Sequence, residues 1–255
     1  MLDCADEGHG HRPGPYGAEK IAENLLFLFH SLKKAVPDLW IESTCLKYNP
    51  SPWWLPAVDS VLGSHGDDVP QGRCPAPSYR EACTSSRDFY NFQGALSFSV
   101  PLEFHDEMGV VHQTPDDFTN DMVTNLMRGN RFVPFYINPA YMTPERWQRM
   151  ADIMAWGKTN QQVLSSATPI PFASWKGREF SALSHEAMPR EPYGYAHGNL
   201  ILLRNPWMEA TSLEITVPAS YVCDLVSLYP EVRCYQKGVL GGSRVTIPLL
   251  PYETL

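Results

Sequence analysis

The chain has 255 residues, 44% of them hydrophobic, with a formal net charge of −8. That is enough apolar material for a buried core, and the acidic balance offers no basic stripe to recruit nucleic acid or an anionic lipid surface. No apolar run reaches membrane length and no secretory leader pattern is visible, which leaves the compartment open.

Met1-Leu2-Asp3 leads straight into a loop punctuated by Gly8, Gly10, Pro13, Gly14 and Pro15, as in a chain that begins inside a domain. Ala18 to Ala35 then predicts an amphipathic helix, with Ile21, Leu25, Leu26, Phe29 and Leu32 at helical spacing. Asp38–Ser43 and Val58–Leu62 predict short strands, the second running into Gly63-Ser-His-Gly-Asp-Asp68. A long Pro/Cys/Arg loop is expected next, and Ala95–Val100 as a third strand. Pro115–Met127 predicts a helix ended by Gly129, and Phe132–Ile137 a fourth strand. Thr143-Pro-Glu145 carries the clearest helix start in the chain, followed by an apolar stripe of Trp147, Met150, Ile153, Met154 and Val163.

Strands alternating with helices predict a parallel sheet with crossovers. Beyond about residue 165 only short runs separated by turns remain: Tyr193–Ala196, Leu200–Leu203, Leu213–Val217, Tyr221–Leu225 and Val245–Leu249. They predict an antiparallel β region.

Cys4, Cys45, Cys74, Cys83, Cys223 and Cys234 form no CxxC, which argues against a finger-type zinc site. Cys74/Cys83 and Cys223/Cys234 could close short loops in an oxidising compartment. His9 and His11 beside Asp3, Asp6 and Glu7 invite a metal site, but His-x-His on a Gly/Pro loop reads better as a solvated turn. No metal and no cofactor is expected. No G-x-S-x-G elbow is present for a serine hydrolase.

In β/α barrels the reacting groups sit at the carboxyl ends of strands. Asp3, Glu42 and the pair Asp67/Asp68 fall at such ends. Two carboxyls in different environments, one ionised and one protonated, are what glycoside hydrolysis needs. The motifs agree. Leu2-Asp3-Cys4 resembles the nucleophile strand end of melibiase-type α-galactosidases (glycoside hydrolase clan D), although the family's Lys before it lies beyond the chain start. Trp40-Ile-Glu-Ser-Thr-Cys45 is similar to the family's next strand end, a sugar-binding segment, with Leu46-Lys-Tyr-Asn49 in place of its glycine run. Ser64-His-Gly-Asp-Asp68 resembles the acid/base segment. Tyr136–Glu145, Trp156–Asn160, Tyr193–His197 and Leu203–Pro206 resemble the last barrel strand, the final helix and the opening of the C-terminal sandwich in uncharacterised members of this clan.

The resemblance implies an α/β fold: the C-terminal half of a (β/α)8 barrel over residues 1–165, catalytic, then an antiparallel β-sandwich over 166–255. It implies a metal-free retaining glycosidase acting on an oligosaccharide or glycoside, with Asp3 as nucleophile and Asp67 as acid/base (Asp68 the alternative). Glu42, Cys45, Trp53, Trp54, His65 and Arg73 are the expected substrate contacts. Because the first barrel strands have no counterpart here, a partner or oligomer completing the barrel is expected, with little or no activity without one. A non-catalytic sugar-binding protein using Trp53, Trp54 and Trp175 as platforms is the alternative.

Overall fold

The computed structural model describes residues 15–43, 54–62, 77–106, 111–112, 118–131, 133, 136–137, 139–173 and 190–255. Helix α1 (Pro15–Ala35) forms where the apolar spacing predicts it. It buries Phe29, flanked by Ala22, Leu25 and Leu26, against Ile41, Val58, Val61 and Val100. Lys33 pairs with Asp59, whose carboxylate also accepts the Ile41 N–H at 2.7 Å. One side chain thus fixes the helix to the entries of two strands.

Those strands are β1 (Glu42–Ser43) and β2 (Ser60–Leu62), shorter than the sequence predicts. They run parallel to each other and to β3 (His105–Asp106) in the order β1-β2-β3. The connection from β2 to β3 is not the expected loop and strand. It contains helix α2 (Pro77–Ser97), a crossover helix of the kind parallel neighbours require. Ala95–Val100 is therefore not a strand: it is the last turn of α2 and a tight exit. The Gly94 carbonyl there accepts the N–H groups of Phe98 and Val100, and Ser99 takes a positive φ of 56°.

A second parallel pair follows. β4 (Val111–His112) lies beside β5 (Tyr136–Ile137), with helix α3 (Phe118–Met127) between them in sequence. Helix α4 (Pro144–Thr159) starts as predicted: the Thr143 hydroxyl accepts the Arg146 N–H at 3.4 Å and Pro144 takes the first helical position. Its stripe stops short of the prediction, because α4 ends at Thr159 and Val163 belongs to the short helix α5 (Gln161–Leu164). Met150 and Ile153 pack on Met122 of α3, while Trp147 and Met154 stay exposed. Gly157 lets the two helices approach, since a Cβ there would stand 2.4 Å from Leu126 Cδ1.

The C-terminal part is antiparallel. β6 (Thr168–Ile170), β7 (Tyr193–His197) and β8 (Leu200–Arg204) form one sheet. β9 (Thr211–Thr216) pairs with β12 (Arg244–Leu249), and β10 (Val222–Ser227) with β11 (Arg233–Leu240). The sequence reading omits β6 and β11. β11 is largely exposed and polar, so no apolar alternation marks it.

Sheet β6–β8 is buried on both faces. Tyr193, Tyr195 and Leu202 join Phe89, Phe92, Met127, Leu164 and Phe172 in a core against the helices. Leu203 on the other face of β8 joins Leu213, Ile215, Val239, Val245 and Ile247. Cys223 and Cys234 are free. Cys223 stands opposite Val239 and Cys234 opposite Val226, three positions along β10, about 10 Å away and beyond disulfide reach.

Candidate functional site: strand ends and a buried polar joint

Register places Ser43, Val61 and His105 in one row across the parallel sheet, and all three are fully buried. Burial pushes the His105 imidazole down to about 4. Alternation turns Glu42 to the face opposite Ser43. Glu42 is half-buried, and no Lys or Arg pairs with it among the described residues. One position further along, Asp106 ends β3 in register with Leu62 of β2. Asp106 is not among the acids that the sequence singles out. The parallel strands thus carry an acid in β1 and another in β3.

Elsewhere carboxylates are fully committed. From α2, Asp88 accepts bonds from Arg128 Nε at 2.7 Å and from the hydroxyls of Tyr193 and Tyr195. Arg128 also donates to Asn125 Oδ1 at 2.9 Å. Glu81, two turns earlier, pairs with Arg204 of β8, which also donates to Thr124. All of these charges are buried. Burial raises the Asp88 pKa, but the guanidiniums of Arg128 and Arg204 and the bonds from Arg128 and Tyr193 outweigh it, so the carboxyl is held below its ordinary range. Burial and the Asp88 charge push both tyrosines well above theirs. Two anions and two cations balance in this joint, which has the geometry of a structural clamp. Beside it, His197 bridges the ends of two helices: Nδ1 lies 2.9 Å from the Leu164 carbonyl and Nε2 2.6 Å from that of Met127.

With this geometry in view, one comparison is informative. A solved cyclomaltodextrinase superposes with a TM-score of 0.50 at 12% identity, covering 92% of this chain and 43% of its own. The likeness is one of fold alone, and this chain covers less than half of that one. No family model matches, and no curated protein does.

Of the residues expected to form the site, Glu42 is the first residue of the parallel strand β1. Trp54 is not a sugar platform. It is 8% exposed, with its ring centroid 6.1 Å from that of Phe29, so its faces are occupied by the core. Asp3, Cys45, Trp53, His65, Asp67, Asp68, Arg73 and Trp175 lie outside the described residues, as do His9, His11, Cys74 and the segment joining β2 to α2. Among the described residues no group of three or more His, Cys, Asp or Glu could hold a metal, and no helix is long and apolar enough to cross a membrane.

Proposed function

We propose that the chain is part of a retaining glycoside hydrolase of α-galactosidase type, acting on terminal α-linked sugars. The observation that carries this is the half-buried Glu42 on an in-register parallel strand, with no cation paired to it among the described residues, in a chain whose fold is like that of a solved cyclomaltodextrinase. The cyclomaltodextrinase likeness supports carbohydrate chemistry; the α-galactoside preference rests on the motifs around Asp3, Glu42 and Asp67. In this reading Asp3 attacks the anomeric carbon, and Asp67, or Asp68 in its place, protonates the departing oxygen and later deprotonates water. Retention requires the two carboxyls about 5–5.5 Å apart, the separation this reading expects. Glu42 binds sugar hydroxyls. Residues 1–165 carry the chemistry and 166–255 support it.

The reading includes a strand partner. β1 has a neighbour on one side only among the described residues. In this reading that edge takes a strand from a second copy or another polypeptide, and turnover by the chain alone is expected to be weak.

The test is hydrolysis of aryl α-galactosides and aryl α-glucosides, with the product anomer followed by proton NMR. Asp67→Asn or Asp68→Asn should lower kcat on the order of a hundredfold or more. Turnover untouched by either substitution, or by Asp3→Asn, would sink the assignment. Galactose binding without turnover would favour a sugar-binding protein instead.

A further inference from the structure

His197 ends β7 with no solvent exposure, and each of its ring nitrogens faces a carbonyl oxygen. Those carbonyls belong to Met127 and Leu164, the last residues of α3 and α5, where no intrahelical N–H is available to bond them. A carbonyl can only accept, and a neutral imidazole has one N–H to give. The neutral ring can therefore hold only one of the two helix ends. The shorter contact, 2.6 Å from Nε2 to Met127, identifies the bonded one. Nδ1 then carries a lone pair toward Leu164.

We propose that His197 is a proton-operated anchor: neutral, it ties β7 to the end of α3 alone, and protonated, it ties β7 to the ends of α3 and α5 together.

The surroundings leave the proton as the control. On α2, Glu81 and Asp88 are engaged by Arg204 of β8 and Arg128 beyond α3. Tyr193 and Tyr195 on the same face of β7 both donate to Asp88. α5 and β6 bring no titratable side chain. Among the described residues no carboxylate pairs with this ring, and stabilisation of the imidazolium comes from the helix-end carbonyls. Burial is the larger influence and lowers the pKa, against an upward pull from the carbonyls of Met127, Leu164 and Val163. The second tie accordingly engages below the ordinary histidine range and is absent at neutral pH. Gly129 lets the two helix ends come close together around the ring, since a Cβ there would stand 2.5 Å from the Leu164 carbonyl oxygen.

The experiment is an NMR titration of the full chain with labelled histidine and backbone carbonyls. At neutral pH the nitrogen shifts of His197 should report a neutral Nε2–H ring. On acidification both nitrogens should become protonated, and the Leu164 carbonyl shift should move with the same midpoint while that of Met127 stays nearly still. His197→Gln should abolish the Leu164 titration. If Leu164 does not titrate with the ring, if the neutral tautomer is Nδ1–H, or if the ring stays neutral until the protein unfolds, the proposal is wrong. The wild-type titration decides the matter even if the variant fails to fold.

Discussion

The joint between α2 and sheet β6–β8 and the parallel strands β1–β3 both carry acids, and they treat them in opposite ways. Glu81 and Asp88 are buried and saturated by two arginines, two tyrosine hydroxyls and their neighbours. Glu42 is half-buried, with no cation across from it among the described residues. The first arrangement fixes a structure, because a satisfied buried charge has nothing left to offer a ligand. The second leaves an acceptor available. Residue type does not separate structural from functional carboxylates; the partners supplied by distant parts of the chain do.

The sharpest way to break this contrast is to remove a partner in the joint. Arg128→Ala strands the Asp88 carboxylate in a dry site and should lower the unfolding free energy by about 3–5 kcal/mol in chemical denaturation. The double change Asp88→Asn with Arg128→Met should recover part of that loss. A loss from Arg128→Ala below about 1 kcal/mol would mean that water reaches the joint.

Acid should follow in size. His105 has a folded value of about 4 against an ordinary 6.5, so the unfolded chain takes up its proton first. Its contribution is intact above about pH 6.5 and lost as the pH falls toward about 4, amounting to roughly 3 kcal/mol. His197, also lowered, acts in the same direction. Asp88 adds a further loss below its unfolded value of 3.8, because its folded pKa is depressed. Denaturation midpoints measured from neutral to mildly acidic pH should fall, and His105→Gln should flatten the curve. Tyr195→Phe removes one bond to a buried carboxylate and should cost about 1.5–3 kcal/mol at neutral pH. The smallest effect is expected at the other end of the comparison: Glu42→Gln should change stability by less than about 0.5 kcal/mol while weakening sugar binding measured by calorimetry. Equal losses of stability from Glu42→Gln and Tyr195→Phe would erase the distinction.

Much of the fold was legible. α1 and α4 have apolar spacing or cap residues that act within one turn, so local sequence suffices for them. α2 was hidden for a physical reason. The face it buries is largely polar, with Glu81, Ser85 and Asp88 at helical spacing ahead of Phe92. Apolar periodicity cannot show a stripe whose members become compatible with burial only through Arg128 and Arg204, some forty and more than a hundred residues away. Trp54 misled in the opposite sense: an aromatic in a Pro-rich loop suits a ligand or a core equally, and Phe29 from α1 decides for the core. In β1, a short apolar run before Glu42 is a local signal for a strand there. Asp106 was missed because the α2 helix before it was missed.

The double burial of sheet β6–β8 sets a limit on how this molecule can come apart. Tyr195 and Leu202 face the helices while Leu203, next along β8, faces the β9–β12 side. The sheet is a party wall: neither neighbour keeps its inner lining if the other falls. Scanning calorimetry of the whole chain should therefore show one cooperative melting event. Cutting the polypeptide near residue 165 would leave two halves that each expose one side of the wall, so such fragments should be recovered together or as aggregates, and genetic shuffling of this sheet as a free-standing module should fail.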